Sequence, residues 1–126
     1  MIKLNLIVTT INWVDGSFYV LADKTSFAKD GIWNPYSVEL TSPEDPISAV
    51  GKLLNKVALI DKQWSNIKIL NAEFNDQQQM EITYCCNIPY DVDIAIEENE
   101  WINVSETVIS QSSMYDQITE SIRSIN

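Results

Sequence analysis

The stretch DPISAVGKLLNKVALI, residues 45–60, carries its own helix instructions. Asp45 stands where a capping side chain accepts from the first backbone N–H groups, and Pro46 takes the first helical position, where a missing N–H costs nothing. At 100° per residue, Ile47, Val50, Leu53, Leu54, Val57 and Ala58 gather on one side, and Ser48, Gly51, Lys52, Asn55 and Lys56 on the other. The spacing predicts a helix with one face packed and the other open to solvent or a ligand.

The flanking sequence supplies strands for it to pack on. Upstream, KLNLIVTTINWV (3–14) and SFYVLAD (17–23) are β-rich runs separated by Asp15-Gly16, a pair suited to the positive φ angles of a tight hairpin turn. KTSFAKDGIWNPYS (24–37) mixes turn residues with aromatics and predicts a loop pinned by Phe27, Trp33 or Tyr36, before a brief strand at Val38–Leu40. Downstream, IKILNAEF (67–74) and QMEITYCCNIPY (79–90) predict a hairpin around NDQQQ, with Pro89 weakening the ladder. DVDIAI (91–96) alternates as an edge strand or extended loop, and EENEWINV (97–104) returns Trp101 to the core. Ser105 to Ile125 predicts a final helix whose stripe runs through Val108, Ile109, Tyr115, Ile118, Ile122 and Ile125. The order β, β, loop, β, α, β, β, β, α implies an α/β (α+β) fold, a mixed β-sheet with packed helices, in one domain over residues 1–126.

Charge narrows the function. Eighteen acidic residues against eight basic ones give a formal charge of -10, which repels phosphate backbones and anionic membranes. General nucleic-acid binding is excluded, and a protein partner is expected. No run approaches the roughly 20 apolar residues that cross a bilayer, and the N-terminal MIKLNLIVTTINWV lacks a small-residue cleavage site. A cytoplasmic protein is expected, with a virion component as the other location left open; richness in Asn, Ile and Lys suits an AT-rich genome such as that of a phage or low-GC bacterium. Cys85 and Cys86 are adjacent in an apolar run, so alternation sends them to opposite faces of a strand as packing residues. The chain has no His for a triad or a zinc site and no Gly-rich phosphate loop.

In this order of elements, particular residues resemble the Nudix family. Trp33 and Pro35 stand where many members have W-x-x-P-G-G, Ala49 and Leu53 match the family's helix, Tyr84 with Ile88-Pro89 resembles its Y-x-x-x-V-P strand, and Trp101 after EENE fits its E-x-x-W segment. The resemblance covers nearly the whole chain and implies the Nudix fold. The family's box runs G, five residues, E, seven residues, then R-E-U-x-E-E-x-G-U, with U aliphatic. With Leu53 as the first U and no gaps, Ser37 replaces Gly, Pro43 the first Glu, Gly51 the Arg, Lys52 the next Glu, Asn55 and Lys56 the paired glutamates, and Ala58 the Gly, while Leu59 keeps the last aliphatic. The resemblance implies a degenerate member, because Nudix hydrolysis needs divalent ions held by those carboxylates. No cofactor is expected, and Mg²⁺ or Mn²⁺ enters only in a hydrolase with displaced carboxylates, for which Glu39 and Glu44 are the candidates after a short gap.

Candidate ligand contacts are Lys52 and Lys56, one helical turn apart and suited to phosphate, and Trp33 and Tyr36, suited to stacking on a base. Against each stands a plainer role: a solvated helix face for the lysines, core anchoring for the aromatics, and solvation for Glu97, Glu98 and Glu100. The expected function is a catalytically degenerate Nudix-like domain used as a protein-binding, regulatory or structural module; the alternatives are a non-hydrolytic domain for a nucleotide or similar phosphate ligand, and a divergent hydrolase of nucleoside diphosphate derivatives. Self-association is left open, with the final helix and any exposed edge strand as the surfaces for it.

Overall fold

The structure, a computed structural model, describes residues 2–12, 14–41, 43–58, 67–89, 97–104 and 108–109. In chain order its elements are β1 (Ile2–Ile11), β2 (Phe18–Asp23), α1 (Lys24–Asp30), β3 (Ile32–Trp33), β4 (Tyr36–Leu40), α2 (Pro46–Ala58), β5 (Ile67–Phe74), β6 (Met80–Asn87), β7 (Asn99–Asn103) and β8 (Val108–Ile109). They form the expected α+β arrangement, a mixed sheet with helices packed on it.

β1 is the axis of the sheet. Its run LNLIVTT is buried from Leu4 to Thr10, the mark of a strand covered on both faces. It pairs antiparallel with β4 through Ile2–Leu6, antiparallel with β2 through Thr9–Ile11, and parallel with β6 through Ile2–Thr9. The main sheet runs β5-β6-β1-β2-β7, with β4 joined to β1 beside that path; β3 and β8 form a separate parallel pair. Beyond β6, the Ile88 N–H donates to the Thr9 carbonyl at 3.0 Å and the Thr10 hydroxyl donates to the Ile88 carbonyl at 2.6 Å, fixing Ile88-Pro89 against β1.

Alternation along β1 and β6 divides the core into two layers. Leu4, Leu6, Val8, Tyr84 and Cys86 meet Val50, Leu54 and Val57 of α2 on one face. Ile7, Cys85, Val20, Ala22 and Trp33 form the other layer, with Phe27 of α1 against it. The two cysteines lie on opposite faces as their spacing requires, and both are buried free thiols.

Three expectations are corrected. Residues 24–30 form α1, not loop: the Asp23 carboxylate accepts from the Ser26 N–H at 3.1 Å, and Gly31, at φ 70, lets its own N–H close on the Phe27 carbonyl. An Asp cap and a left-handed Gly eight residues later bound the helix chemically even though it is too short to show a periodic stripe. The first hairpin forms, but its turn is wider than Asp15-Gly16 alone: Asn12 accepts from Gly16 and donates to Ser17, and only Gly16 has a positive φ there among the described residues. Val108 and Ile109, expected in the final helix, pair instead with Ile32 and Trp33. The rest of that helix and DVDIAI lie outside the described residues. Trp101 does return to the core through β7, which pairs with β2 and leaves its indole half-buried against the α2 layer.

Candidate functional site

The Asp45 carboxylate accepts from the Ile47 N–H at 3.1 Å, and its carbonyl accepts from Ala49, so α2 starts as its sequence directs. The apolar side docks on β1 and β4 through Val50, Leu54 and Val57, with Ile47, Ala49 and Leu53 half-buried. Ala58 ends the helix, and its side chain lies outside the described residues. The opposite side is narrower than the spacing predicts. Gly51 is buried and Ser48 and Asn55 are half-buried, so Lys52 and Lys56 make up the exposed ridge. The Asn55 Oδ1 is buried with no hydrogen-bond partner among the described residues.

Lys52 is engaged. Its ammonium lies 2.7 Å from Glu44 Oε1, a pair whose side chains are 71% and 32% exposed. Glu44 immediately precedes the cap, so the loop that starts the helix folds its carboxylate back over the second turn. Glu39 is not part of this cluster. On β4 the residues facing α2 are Tyr36, Val38 and Leu40, which sends Ser37 and Glu39 to the opposite face of the sheet. There Glu39 accepts from Gln79 Nε2 at 3.4 Å. Among the described residues, no three His, Cys, Asp or Glu side chains stand close enough together to hold a metal ion.

Trp33 and Tyr36 share one hollow, together with Asp23, Ser26, Phe27 and Asn34, and neither lysine lines it. It is a shallow, open hollow whose roughly 290 Å³ of empty space includes the solvent at its mouth. Trp33 is fully buried and donates its indole N–H to the Leu21 carbonyl at 3.0 Å, a core anchor with its polar end satisfied. Tyr36 donates to Asn99 Oδ1 at 2.5 Å. Burial, and then the Asp23 carboxylate, hold its phenol well above the usual range, so Tyr36 is a neutral donor. The four candidate contacts therefore divide into an exposed lysine ridge on α2 and an aromatic pair rooted in the core.

A polar network on the sheet face away from α2 went unnoticed in the sequence. Asn5 is buried in β1; its Nδ2 donates to Glu81 Oε2 at 2.8 Å and reaches Thr83 Oγ1 at 3.4 Å, and its Oδ1 accepts from Ser37 at 2.8 Å. Asn75 Nδ2 donates to Glu81 at 3.3 Å, and Lys3 stands 4.0 Å from that carboxylate. The signal was a lone Asn in an apolar strand, next to rows of polar residues that only the register of β1 with β4 and β6 brings together. Its hydrogen bonds tie three strands; it sets no nucleophile beside a base. Glu97 and Glu98 are exposed and Glu100 is half-buried, and the Glu98 carbonyl accepts from the Lys24 N–H at the start of α1.

No family model matches the sequence, and no curated protein does. Solved structures match its fold. The Nudix domain of Shewanella oneidensis NrtR, solved with ADP-ribose, aligns with a TM-score of 0.65 at 14% identity, over 97% of this chain and 88% of that one. The Caenorhabditis elegans Ap4A hydrolase, in a binary complex, gives 0.58 at 16% identity, over 98% and 97%. A MutT/nudix family protein from Enterococcus faecalis gives 0.62 at 14% identity over 81% of this chain, which spans only 43% of that one. At these identities the likeness is one of architecture, and the architecture is the Nudix fold.

Proposed function

We propose that this chain is a catalytically degenerate Nudix-like domain that serves as a protein-binding, regulatory or structural module. The pairing of Lys52 with Glu44 carries the reading. In the ungapped placement Lys52 stands at one of the box's metal-binding glutamates, and Glu44 is the carboxylate that a short gap would bring to the box. The ammonium neutralises that carboxylate, and a divalent ion placed there would meet like charge. Asn55 and Lys56 stand at the paired glutamates, where they offer a neutral amide and a second cation. Glu39 faces the far side of the sheet. These donors do not suit a pair of divalent ions, so no hydrolytic step is derived through metal. The overall charge of -10 makes a basic protein surface the partner chemistry that fits.

A second reading, non-hydrolytic binding of a phosphate-bearing ligand, draws on the exposed Lys52 and Lys56 one turn apart on α2. One experiment separates the readings: thermal shift with ADP-ribose and with diadenosine tetraphosphate, with and without Mn²⁺, beside a phosphate-release assay. The proposed function predicts neither a shift nor turnover. Metal-dependent turnover lost in Glu44→Gln or Glu39→Gln overturns it in favour of a hydrolase. Stabilisation without turnover, abolished in Lys52→Glu/Lys56→Glu, favours the ligand-binding domain.

A further inference from the structure

The hollow that Trp33 and Tyr36 share has aromatic walls under a polar, acidic rim. Trp33 is fully buried and floors it, while Phe27 and Tyr36 are half-buried and keep ring surface against it. Asp23, Ser26 and Asn34 line the same hollow and are exposed. The Asp23 charge lies close enough to help raise the Tyr36 phenol, after burial. One Asp23 oxygen accepts from the Ser26 N–H at 3.1 Å to cap α1. A carboxylate offers about four lone-pair sites, so capping leaves acceptor capacity for a further donor.

The surroundings select the sign of charge. β7 pairs with β2 so that Asn99 opposes Asp23, and the Lys24 N–H donates to the Glu98 carbonyl at 2.8 Å. The run EENE, residues 97–100, is thereby carried to the rim of the hollow, where its three carboxylates and Asp23 outweigh Lys24 and make the potential negative. Shape then selects among cations. The hollow is too shallow to enclose a nucleotide, and the buried Trp33 has no face left for a base to stack on. The end of one side chain fits. A guanidinium is planar, stacks on aromatic rings and is more weakly hydrated than an ammonium, and its five N–H donors call for several acceptors. The Asp23 carboxylate, the Ser26 hydroxyl and the Asn34 side-chain carbonyl supply them along one rim.

We infer that this hollow takes an arginine side chain of a basic protein partner, its guanidinium bound to the Asp23 carboxylate and stacked on the Phe27 and Tyr36 rings. The inference rests on the proposed reading of the chain as a protein-binding module, and it names the chemistry by which the partner is held. Lys52 and Lys56 take no part, since neither lines the hollow.

Nuclear magnetic resonance of the isotope-labelled full chain, titrated with Nα-acetyl-arginine amide to about 20 mM, the range for one side chain, tests it. At an ionic strength of about 0.15 M, which screens diffuse attraction to the acidic surface, saturable shifts should gather at Ser26, Phe27, Asn34 and the Trp33 indole N–H. Asp23→Asn keeps a capping oxygen for Ser26 and removes the charge, so the backbone spectrum should persist while affinity falls by about tenfold. Asn34→Ala, at the exposed rim, should weaken binding by about threefold and leaves the cap untouched. The blocked lysine amide should bind more weakly than the arginine one. The absence of a saturable shift, shifts scattered over the acidic surface, an affinity unchanged in Asp23→Asn, or lysine bound as tightly as arginine would each overturn the inference. So would binding of free arginine but not of its blocked amide, which would mark a small-molecule site. None of these outcomes bears on the module reading, which falls instead on turnover or on stabilisation by phosphate compounds in the thermal-shift experiment.

Discussion

Truncating each side of α2 tests what holds it. Leu54 is fully buried, packed among Leu4, Leu6, Val8, Val50 and Val57. Leu54→Ala removes apolar contacts and leaves a cavity that the β1 side chains cannot close, a loss of about 2–5 kcal/mol. Lys52→Ala removes a 2.7 Å ion pair whose members are 71% and 32% exposed; water competes for both charges, and the cost is about 0–1 kcal/mol. Urea unfolding followed by far-UV circular dichroism and by Trp fluorescence separates the two, coincidence of the probes establishing two-state behaviour. With a slope of about 1–3 kcal/mol per molar urea, Leu54→Ala should lower the midpoint by roughly 1–3 M, and Lys52→Ala by well under 1 M. Equal losses would refute the assignment, because the ridge would then hold the helix as firmly as the stripe does.

Asp45→Ala removes the α2 cap and should cost about 1 kcal/mol, with Asp45→Asn recovering most of it in the same urea titration. Asn55→Leu removes a buried acceptor that lacks a partner among the described residues and should be neutral or stabilising by about 1 kcal/mol; a loss beyond that would mean the amide has a structural partner. Burial pushes the Cys86 thiol from its ordinary 9.0 up to about 12, with Cys85 adding to the shift, and burial followed by the Asp45 carboxylate raises the Tyr84 phenol. The folded state keeps the Cys86 proton that the unfolded chain gives up, so that contribution to stability is full below pH 9 and falls as pH climbs toward 12, by up to about 1.4 kcal/mol per pH unit, with Tyr84 acting in the same direction. Thermal melts at stepped alkaline pH should show that slope, reduced in Cys86→Ala; a flat profile would contradict it.

α2 was legible because its cap, its first-turn proline and its stripe agree at short range. The β5–β6 hairpin was legible for a similar reason: Asn75 side-chain turns and a left-handed Gln78 close the run of polar residues between two apolar strands. α1 was missed because seven residues give too little periodicity, although Asp23 and Gly31 marked both ends. The parallel pairing of β1 with β6 joins residues 78 apart, and the β3–β8 pair joins residues 76 apart, so no local pattern encodes either. At the candidate site, the residue types at Lys52, Asn55 and Lys56 could be read directly, but their environments could not. That Glu44 closes on Lys52 while Glu39 turns to the far face follows from strand alternation in β4 and the path of its loop. The Asn5 network needed the sheet register.

The central claim is that α2 holds the fold and no longer holds metal, and Mn²⁺ binding tests it most directly. Electron paramagnetic resonance of free Mn²⁺, titrated with the protein at moderate ionic strength to suppress diffuse attraction to the acidic surface, should find no saturable site and no difference between the parent chain and Glu44→Gln. A stoichiometric site that disappears in Glu44→Gln would contradict the account.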